Sequence, residues 1–398
     1  MNLLTTTDER FDRTPDGAIW TKSQMVHRFW QRYLEIFAHV RVAARIRDVA
    51  RPAADTLRAD GEAVSFAALP SHSGAAEYIA KFPLVARAAR EAISKTEAVI
   101  LRVPQANNRI YTLLSHTRHP YALHVGGDPS DAFAPGAVNH PLRPLLRIWF
   151  ARLLRRQCAG ACAASYVTRA ALQRRYPCFG FTTHFSDVEI SETTLLTTPR
   201  VFRPENRQLK IITVGTLAQL YKAPDVLINA FAQCVRAGAD LTMEFVGDGK
   251  ERPGLEQLAD SLGMRNRIHF AGHTAPGESI RNRLDQADLF VLPSRQEGLP
   301  RAMIEAMGRG LPCLGSTVGG IPELLPPEAL VEPGDAAGLA AKLLEVVRDP
   351  HRLSEMSAHS LNKAREYSAN LMRARRLEFY RFVHDCTEGW LRRNRSPR

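Results

Sequence analysis

One stretch of the chain, residues 288–323, constrains the fold more than any other. It opens with an apolar run at 289–292 that is typical of a buried strand. After a short loop, Pro300 suits the start of a helix, because a first helical residue needs no N–H and proline presets its φ. A second apolar run at 313–315 follows that helix. This order predicts a parallel α/β sheet, which binds ligands at the carboxyl ends of its strands.

Two acidic residues, Glu297 and Glu305, frame the loop and the first turns of this helix. We predict that Glu297 hangs into the crevice at the strand ends and that Glu305 points from the helix toward the same opening. The free N–H groups at the helix start would form an anion site between them, most suited to a phosphate. The alternative is that Glu305 is a solvated helix residue and Glu297 a loop charge.

The chain length, 398 residues, favours two domains over a single core. A connector rich in proline and arginine is predicted at about 187–208. We therefore expect an N-terminal domain over 1–200 and a C-terminal domain over 208–367. Residues 368–398 are expected to form a last helix followed by a basic tail.

Several short sequence elements occur around the two carboxylates in a fixed order. They are Gly298, Pro300, the run 305–307, the run 310–312 and the run 319–323. In this spacing they resemble the donor-binding segment of the retaining group 1 glycosyltransferases, a family with the GT-B fold. The resemblance covers residues 209–345 and is less specific in the first domain. It implies an α/β protein in which two doubly wound, Rossmann-like domains face a central crevice. In that arrangement the domain over 1–200 lies on the acceptor side and the domain over 208–367 binds the nucleotide sugar. The helix within 368–398 would cross back to the first domain.

The resemblance implies a site for a nucleotide diphosphate sugar. The family commonly places an arginine after the glycine of its first element and a lysine several residues later, both facing the diphosphate. In this chain Thr216 stands at the arginine position and Lys222 is retained. Arg295, Arg301 or an arginine of the first domain would then compensate. Lysine binds phosphate as a point charge, so neither a metal nor a cofactor is expected beside the donor, which is a co-substrate.

By the same resemblance, Glu305 binds the ribose hydroxyls of the donor, and Glu297 is a catalytic residue that meets the sugar hydroxyls. The predicted donor-binding residues are Gly215, Thr216, Lys222, Gly247, Gly249, Arg295, Gly298, Leu299, Pro300, Arg301 and Glu305. No metal site is predicted, because the chain has no obvious D-x-D loop or His/Asp cluster.

The first domain carries fewer signals. A glycine-containing loop after the first strand approaches donor and acceptor in the family, and only Gly17 supplies that flexibility here. The family often places a histidine after a later strand, where this chain has Gly127 and Asp128. We predict Asp128 as the second catalytic residue, with capping of the following turn as its alternative role. His124 is more typical of a packed strand residue.

Hydrophobic periodicity predicts a short first strand over 2–6 and a helix over 22–37, whose aromatic residues recur at helical spacing. The segment 141–157 is amphipathic and rich in arginine. It favours either a helix lying on an anionic membrane or a helix packed on its own sheet.

The formal net charge is +12, and no Asp or Glu occurs from Ala132 to Ser186. Such a surface attracts phosphates and anionic lipids, but no nucleic-acid motif accompanies it, so no nucleic-acid partner is expected. No apolar stretch is long enough to span a membrane, and the N-terminus lacks a secretory pattern. We expect a cytoplasmic protein with reduced thiols, which could work at the inner face of the membrane.

These implications predict a retaining, metal-independent hexosyltransferase. It would move a sugar from a GDP- or UDP-linked donor to a glycan or lipid-linked acceptor in polysaccharide or glycoconjugate biosynthesis. One alternative is a nucleotide-sugar epimerase on the same fold, which would need no acceptor. Another is a catalytically silent nucleotide-sugar-binding protein, encouraged by Thr216 and by the missing histidine.

Overall fold

The computed structural model contains two β-sheets that follow one another along the chain. The residues that it describes are 1–70, 80–103, 108–132, 142–188, 190–204, 208–275 and 277–395. Both sheets are built mainly from parallel strands, which need long crossover connections, and helices supply these.

The first sheet has a parallel body with the order β5-β3-β1-β6-β7-β8-β9, and two short antiparallel strands extend it in the order β1-β2-β4. Its strands are β1 (Asn2–Arg13), β2 (Ile19–Thr21), β3 (His39–Asp48), β4 (Leu57–Arg58), β5 (Val64–Pro70), β6 (Ala98–Val103), β7 (Ala122–Val125), β8 (Ala163–Tyr166) and β9 (Phe181–His184).

The second sheet is parallel throughout and has the order β12-β11-β10-β13-β14-β15. Its strands are β10 (Leu209–Val214), β11 (Leu241–Val246), β12 (Ile268–Gly272), β13 (Leu289–Leu292), β14 (Cys313–Ser316) and β15 (Leu330–Val331). The strands β13 and β14 are buried along their whole length, as strands covered on both faces must be.

Helices connect the strands of both sheets. In the first domain they are α1 (His27–Gln31), α2 (Phe82–Ser94), α3 (Asn108–Thr117), α4 (Pro129–Ala132), α5 (Arg143–Gly160) and α6 (Ala171–Arg175). In the second domain and beyond it they are α7 (Pro224–Arg236), α8 (Arg252–Ser261), α9 (Glu278–Asp285), α10 (Arg301–Gly308), α11 (Ala336–Val347), α12 (Pro350–Arg365) and α13 (Ala369–Arg395). No helix in the described part of the chain combines the length and apolarity needed to cross a bilayer.

The first strand is more than twice as long as predicted. β1 does not end at residue 6 but continues to Arg13, because β3 pairs with both halves of it. The pairing register shifts between Thr6 and Arg10, so the chain bulges at Thr7–Glu9 and then resumes as a strand. The tight turn at Gly17, with φ +86°, links β1 to β2, whereas the bulge lines the crevice.

The predicted helix over 22–37 is also wrong in extent, because only α1 is helical and turns follow it. The aromatic spacing instead reflects burial, since Trp30, Tyr33 and Phe37 are all at most 2% exposed. Tyr33 stacks on Tyr380 of α13 with 4.7 Å between ring centroids. Packing against α13, rather than helix propensity, therefore sets this pattern.

The last helix follows the second domain in sequence but packs on the first. Phe382 stacks on Phe181 of β9 at 4.9 Å between ring centroids. Another α13 aromatic, Phe379, meets Phe185 edge to face at 5.8 Å. The expected basic tail lies partly outside the described residues, which end at Arg395.

Candidate active site

The carboxyl ends of the parallel strands meet in a crevice between the two domains. An inner cavity of about 530 Å³ lies there and has walls from both domains. The first domain contributes Thr7–Glu9 and the loop after β7, and the second contributes Tyr221, Lys222 and the loop 296–298. The sequence-predicted loop after β13 therefore does face the crevice.

At the centre of this cavity, Lys222 and Glu297 form an ion pair. Their Nζ and Oε1 atoms are 2.6 Å apart, and both side chains are largely buried. Glu297 also accepts a hydrogen bond of 2.8 Å from the Ser294 hydroxyl. The sequence did not pair these two residues, because they are 75 positions apart and belong to different loops. The lysine neutralises the carboxylate, and both groups remain on the cavity wall.

A wide cavity of about 910 Å³ adjoins the inner cavity and shares Glu9 and Met25 with it. Arg301 and Glu305 of α10 line the wide cavity together with His273, which follows β12. The Glu305 side chain is exposed to solvent, but desolvation by the surrounding protein raises its pKa, and Arg301 opposes that rise. The two predicted carboxylates thus open into neighbouring cavities, with the start of α10 between them.

The predicted glycines bring loops into close contact. A Cβ on Gly247, whose φ is +143°, would lie 1.9 Å from the carbonyl oxygen of Gly215. A Cβ on Gly249 would lie 2.1 Å from the backbone of residues 217–218. Gly215 itself packs against the Lys222 side chain, since its Cβ would be 3.3 Å from Cε. The missing side chains of these glycines therefore let the loops around Lys222 pack closely.

Backbone contacts also join the two domains across the crevice. A Cβ on Gly298 would lie 2.4 Å from the carbonyl oxygen of Gly126 in the first domain. On the same side, the Glu323 carboxylate accepts hydrogen bonds from the N–H groups of Ala170 (2.9 Å) and Ala171 (2.6 Å). The glutamate that ends the sequence motif thus holds the first domain.

The remaining predicted donor-binding residues differ in their exposure and in whether they reach a cavity. Thr216 is exposed, and its hydroxyl accepts the N–H of Ala218 at 3.1 Å. Leu299 is buried, so its side chain serves packing. Pro300 is not the first helical residue but the residue before α10, with extended backbone. None of these three residues lines the wide cavity, whereas Arg301 does.

Arg295 does not line the inner or the wide cavity. Its guanidinium makes two hydrogen bonds to the Asp225 carboxylate, of 2.8 and 2.7 Å, and a third to the Leu220 carbonyl at 2.8 Å. Such a bidentate ion pair holds an arginine in one orientation. Arg295 therefore fixes the loop that carries Lys222, and its role as a donor-binding residue stays a prediction.

Asp128 lines the inner cavity, but its carboxylate is engaged by its own domain. The N–H of Ser130 donates to it at 2.7 Å, and Arg175 and the Tyr176 hydroxyl donate to it as well. This matches the alternative role, capping of the turn that starts α4. The predicted catalytic role has no support in this geometry, because the donors occupy both carboxylate oxygens.

His124 also lines the inner cavity, although the sequence suggested only packing. Its Nδ1 lies 3.0 Å from the Ser165 hydroxyl, and its ring stacks on Phe185. Within the described residues, its buried Nε2 has no hydrogen-bond partner. Burial and the nearby Arg102 lower the pKa of His124 to about 3, so the ring is neutral near pH 7.

Arg102 brings a further positive charge to the inner cavity. Its guanidinium and that of Arg32 both hold Asp187, in the connector between the domains. Burial raises the pKa of Asp187, but Arg102 and Arg32 outweigh it and hold that pKa well below its usual range. Sequence reasoning missed this cluster, because its members come from three distant segments without a local motif.

One group of three possible metal ligands occurs in the described part of the chain: His384, Asp385 and Glu388 on α13. None of the three lines the inner or the wide cavity. The expectation that the protein uses no metal therefore stays a prediction.

Comparison with known proteins identifies the second domain. A family model described as "Glycosyl transferases group 1" matches residues 208–349. These residues form a group 1 glycosyltransferase domain. Protein CapJ of Staphylococcus aureus is 28% identical over 318 residues, which cover 79% of this chain and 78% of CapJ. The N-acetyl-alpha-D-glucosaminyl L-malate synthase of Bacillus anthracis is 31% identical over 159 residues, 39% of each chain. That alignment spans about two-fifths of the relative's length.

Solved structures match over nearly the whole chain and establish the GT-B fold. The sucrose-phosphate synthase of Thermosynechococcus elongatus has a TM-score of 0.70 at 16% identity, over 97% of this chain and 100% of that chain. HepE of Anabaena, in complex with UDP and glucose, has a TM-score of 0.66 at 17% identity, over 95% and 98% of the two chains. The group 1 domain is therefore the second half of a GT-B protein.

Proposed function

We propose that this protein is a retaining glycosyltransferase that moves a hexose from a UDP- or GDP-linked donor to a glycan or lipid-linked acceptor. The reaction would serve polysaccharide or glycoconjugate biosynthesis. The observation that carries the proposal is the Lys222–Glu297 pair on the wall of a crevice cavity, with Glu305 in the adjoining cavity. The group 1 domain and the GT-B fold support it, as does the binding of UDP and glucose stated for HepE.

In this proposal the donor lies across both cavities. Its diphosphate meets Lys222 and the free N–H groups at the start of α10, where the helix dipole favours an anion. Its ribose hydroxyls donate to Glu305 in the wide cavity, and its sugar occupies the inner cavity near Glu297. Among the predicted donor-binding residues, Gly298 and Arg301 line these same cavities.

The chemistry asks the protein to stabilise the charge that develops on the leaving diphosphate. Lys222 supplies a positive charge at that place, and Arg102, which also pairs with Asp187, is the first-domain arginine that lines the same cavity. His124 lines the same cavity, and its neutral ring adds no positive charge beside the transferred sugar. No step in this arrangement requires a metal, since fixed cations and N–H groups carry the stabilisation.

The first test is thermal stabilisation by a panel of nucleoside diphosphates and nucleotide sugars, without added metal. A ligand at a hundredfold excess over its Kd stabilises the native state by about 2.7 kcal/mol. Glu305→Ala should weaken donor binding about 10- to 100-fold, because a hydrogen bond to a charged group is lost. Exposed Glu328, changed to Gln, is the matched control and should bind as wild type.

The alternatives give different results in the same samples. A nucleotide sugar that is consumed without any acceptor would favour the epimerase. A donor that binds but stays intact with every acceptor would favour the silent binding protein. If no nucleotide stabilises the protein, the proposed function is wrong.

We further propose that the protein meets its acceptor at the inner face of the cytoplasmic membrane. The helix α5 buries Leu154 and Cys158 against its own domain, so only its opposite face is open to a membrane. Its outer face exposes Leu145, Ile148 and Trp149 by at least half. These residues share one helix face, and exposed arginines such as Arg147 flank them. Apolar residues within a basic rim suit an anionic bilayer.

Flotation with vesicles containing phosphatidylglycerol tests this contact. The double change Leu145→Glu and Trp149→Glu should reduce vesicle binding at least tenfold, because two apolar side chains leave the lipid. Leu84→Glu, at an exposed position of α2, is the control and should float as wild type. Equal flotation of the double variant would remove α5 from the contact.

A further inference from the structure

A third cavity, the strand cavity, lies on the first domain beside the crevice. Its volume is about 470 Å³, within the range of small-molecule sites. It shares Asp8 and Glu9, of the β1 bulge, with the inner cavity. All of its walls come from residues 8–56 of the first domain. The strand cavity is therefore a continuation of the crevice that the second domain does not line.

One face of the extended sheet forms its floor. Asp12 of β1 pairs with Trp20 of β2 on one side and with Arg47 of β3 on the other. Directly paired residues project to the same face, so these three side chains form a row across three strands. Arg10 and Arg45 pair two positions earlier and therefore form a second row on that face. All five residues line the cavity.

The floor is rigid before any ligand arrives. The Trp20 indole donates its Nε1–H to the Thr14 hydroxyl at 3.1 Å, and the side chain is only half-buried. Arg47 makes two hydrogen bonds to Asp12, of 3.0 and 3.1 Å. An aromatic ring thus stands beside a planar, doubly hydrogen-bonded ion pair, both fixed in orientation. Pre-organised side chains of this kind lose little entropy on binding.

The chemistry of the floor suits a sugar ring. An indole face packs against the C–H face of a pyranose, while carboxylates and guanidinium groups exchange hydrogen bonds with its hydroxyls. Positive residues also face the cavity, but Asp8, Glu9 and Asp12 offset most of their charge. That balance favours a hydroxyl-rich, weakly charged ligand over a phosphate.

We infer that the strand cavity binds a sugar unit of the acceptor, next to the unit that receives the transferred hexose. The inference rests on the proposed function. The donor's groups are assigned to the inner and wide cavities, both of which include second-domain residues. The strand cavity shares Asp8 and Glu9 with the inner cavity and Glu9, Lys22 and Ser23 with the wide cavity, so it adjoins the place assigned to the transferred sugar. The acceptor is therefore a saccharide of at least two sugar units.

The test uses a panel of methyl disaccharides of glucose, galactose, mannose, N-acetylglucosamine and rhamnose. Binding is measured by saturation-transfer NMR with the nucleoside diphosphate that stabilises the protein. We expect at least one disaccharide to bind, and Trp20→Ala to weaken that binding about tenfold. Phe179→Ala removes an exposed aromatic of the same domain outside the strand cavity and should leave binding unchanged.

Two readouts separate this inference from the proposed function. Nucleotide stabilisation should be the same in wild type and Trp20→Ala, because Trp20 does not line the donor cavities. The variant Arg47→Gln should weaken disaccharide binding as well. Because Arg47 is exposed, this variant tests the subsite even if Trp20→Ala misfolds. If nucleotide binds but no disaccharide does, or if both variants bind disaccharide as wild type, the subsite is wrong. Loss of nucleotide binding in wild type would instead refute the proposed function.

Discussion

Replacing Lys222 by alanine is expected to reduce glycosyl transfer by a factor of about 100 to 1,000. Removing one fixed group that stabilises developing charge has an effect of this size in other enzymes. Lys222 is largely buried and sits on the wall of the inner cavity, so water cannot replace its charge at low cost. Binding of the free nucleoside diphosphate should weaken in parallel, as calorimetry would measure.

The change also leaves Glu297 without its cation, which could lower stability independently of catalysis. The double variant Lys222→Ala with Glu297→Gln separates the two effects, because it removes the uncompensated charge. It should regain thermal stability but not diphosphate affinity. Lys342→Ala, at a partly exposed position of α11 that lines neither cavity, is the matched control. If Lys222→Ala changed only the KM for the acceptor, the diphosphate assignment would be wrong.

Gly298→Ala is expected to lower the rate of transfer at least 100-fold, whereas affinity for the free nucleoside diphosphate, assigned to Lys222 and the start of α10, should fall less. The new Cβ would stand 2.4 Å from the Gly126 carbonyl oxygen, which is backbone and cannot rotate away. The domains would have to separate, and a displacement of about 1 Å between reacting groups can cost a factor of 100. Transfer kinetics measure the loss of rate, and calorimetry with the nucleoside diphosphate measures the affinity.

The control for this change is Gly254→Ala in α8, where an added Cβ meets nothing within 4 Å. It should leave both transfer and nucleotide affinity as in wild type. Small-angle scattering of Gly298→Ala should show a larger radius of gyration than wild type. A variant that stays compact and transfers at the wild-type rate would mean that this close approach is not needed for catalysis.

The second domain could be predicted well because its signals are local. Strand, loop and helix around Glu297 and Glu305 follow each other within 36 residues, and each boundary carries its own marker. The structure places β13, α10 and β14 in that order and opens both carboxylates to the crevice. The local pattern could not provide the partner of each charged residue. Arg295, for example, binds Asp225, which lies 70 positions earlier in the chain.

The first domain was harder because its site is assembled from distant segments. Arg32, Arg102 and Asp187 meet only once the sheet and the connector are in place. The length of β1 likewise depends on pairing with β3 along both halves, which no window on β1 alone contains. The turn residues around Asp128 placed it at the crevice, but the sequence did not predict its hydrogen bond from the Tyr176 hydroxyl.

The position of α13 has a consequence for how the chain is made. Tyr33 and Phe181 complete their packing with Tyr380 and Phe382, which leave the ribosome after the second domain. During synthesis the first domain must therefore wait, with these aromatic surfaces uncovered, while the second domain emerges and folds. The second domain, whose sheet ends at Val331, needs no such wait. The second domain can therefore finish folding first, and the first domain is completed only when α13 packs on it.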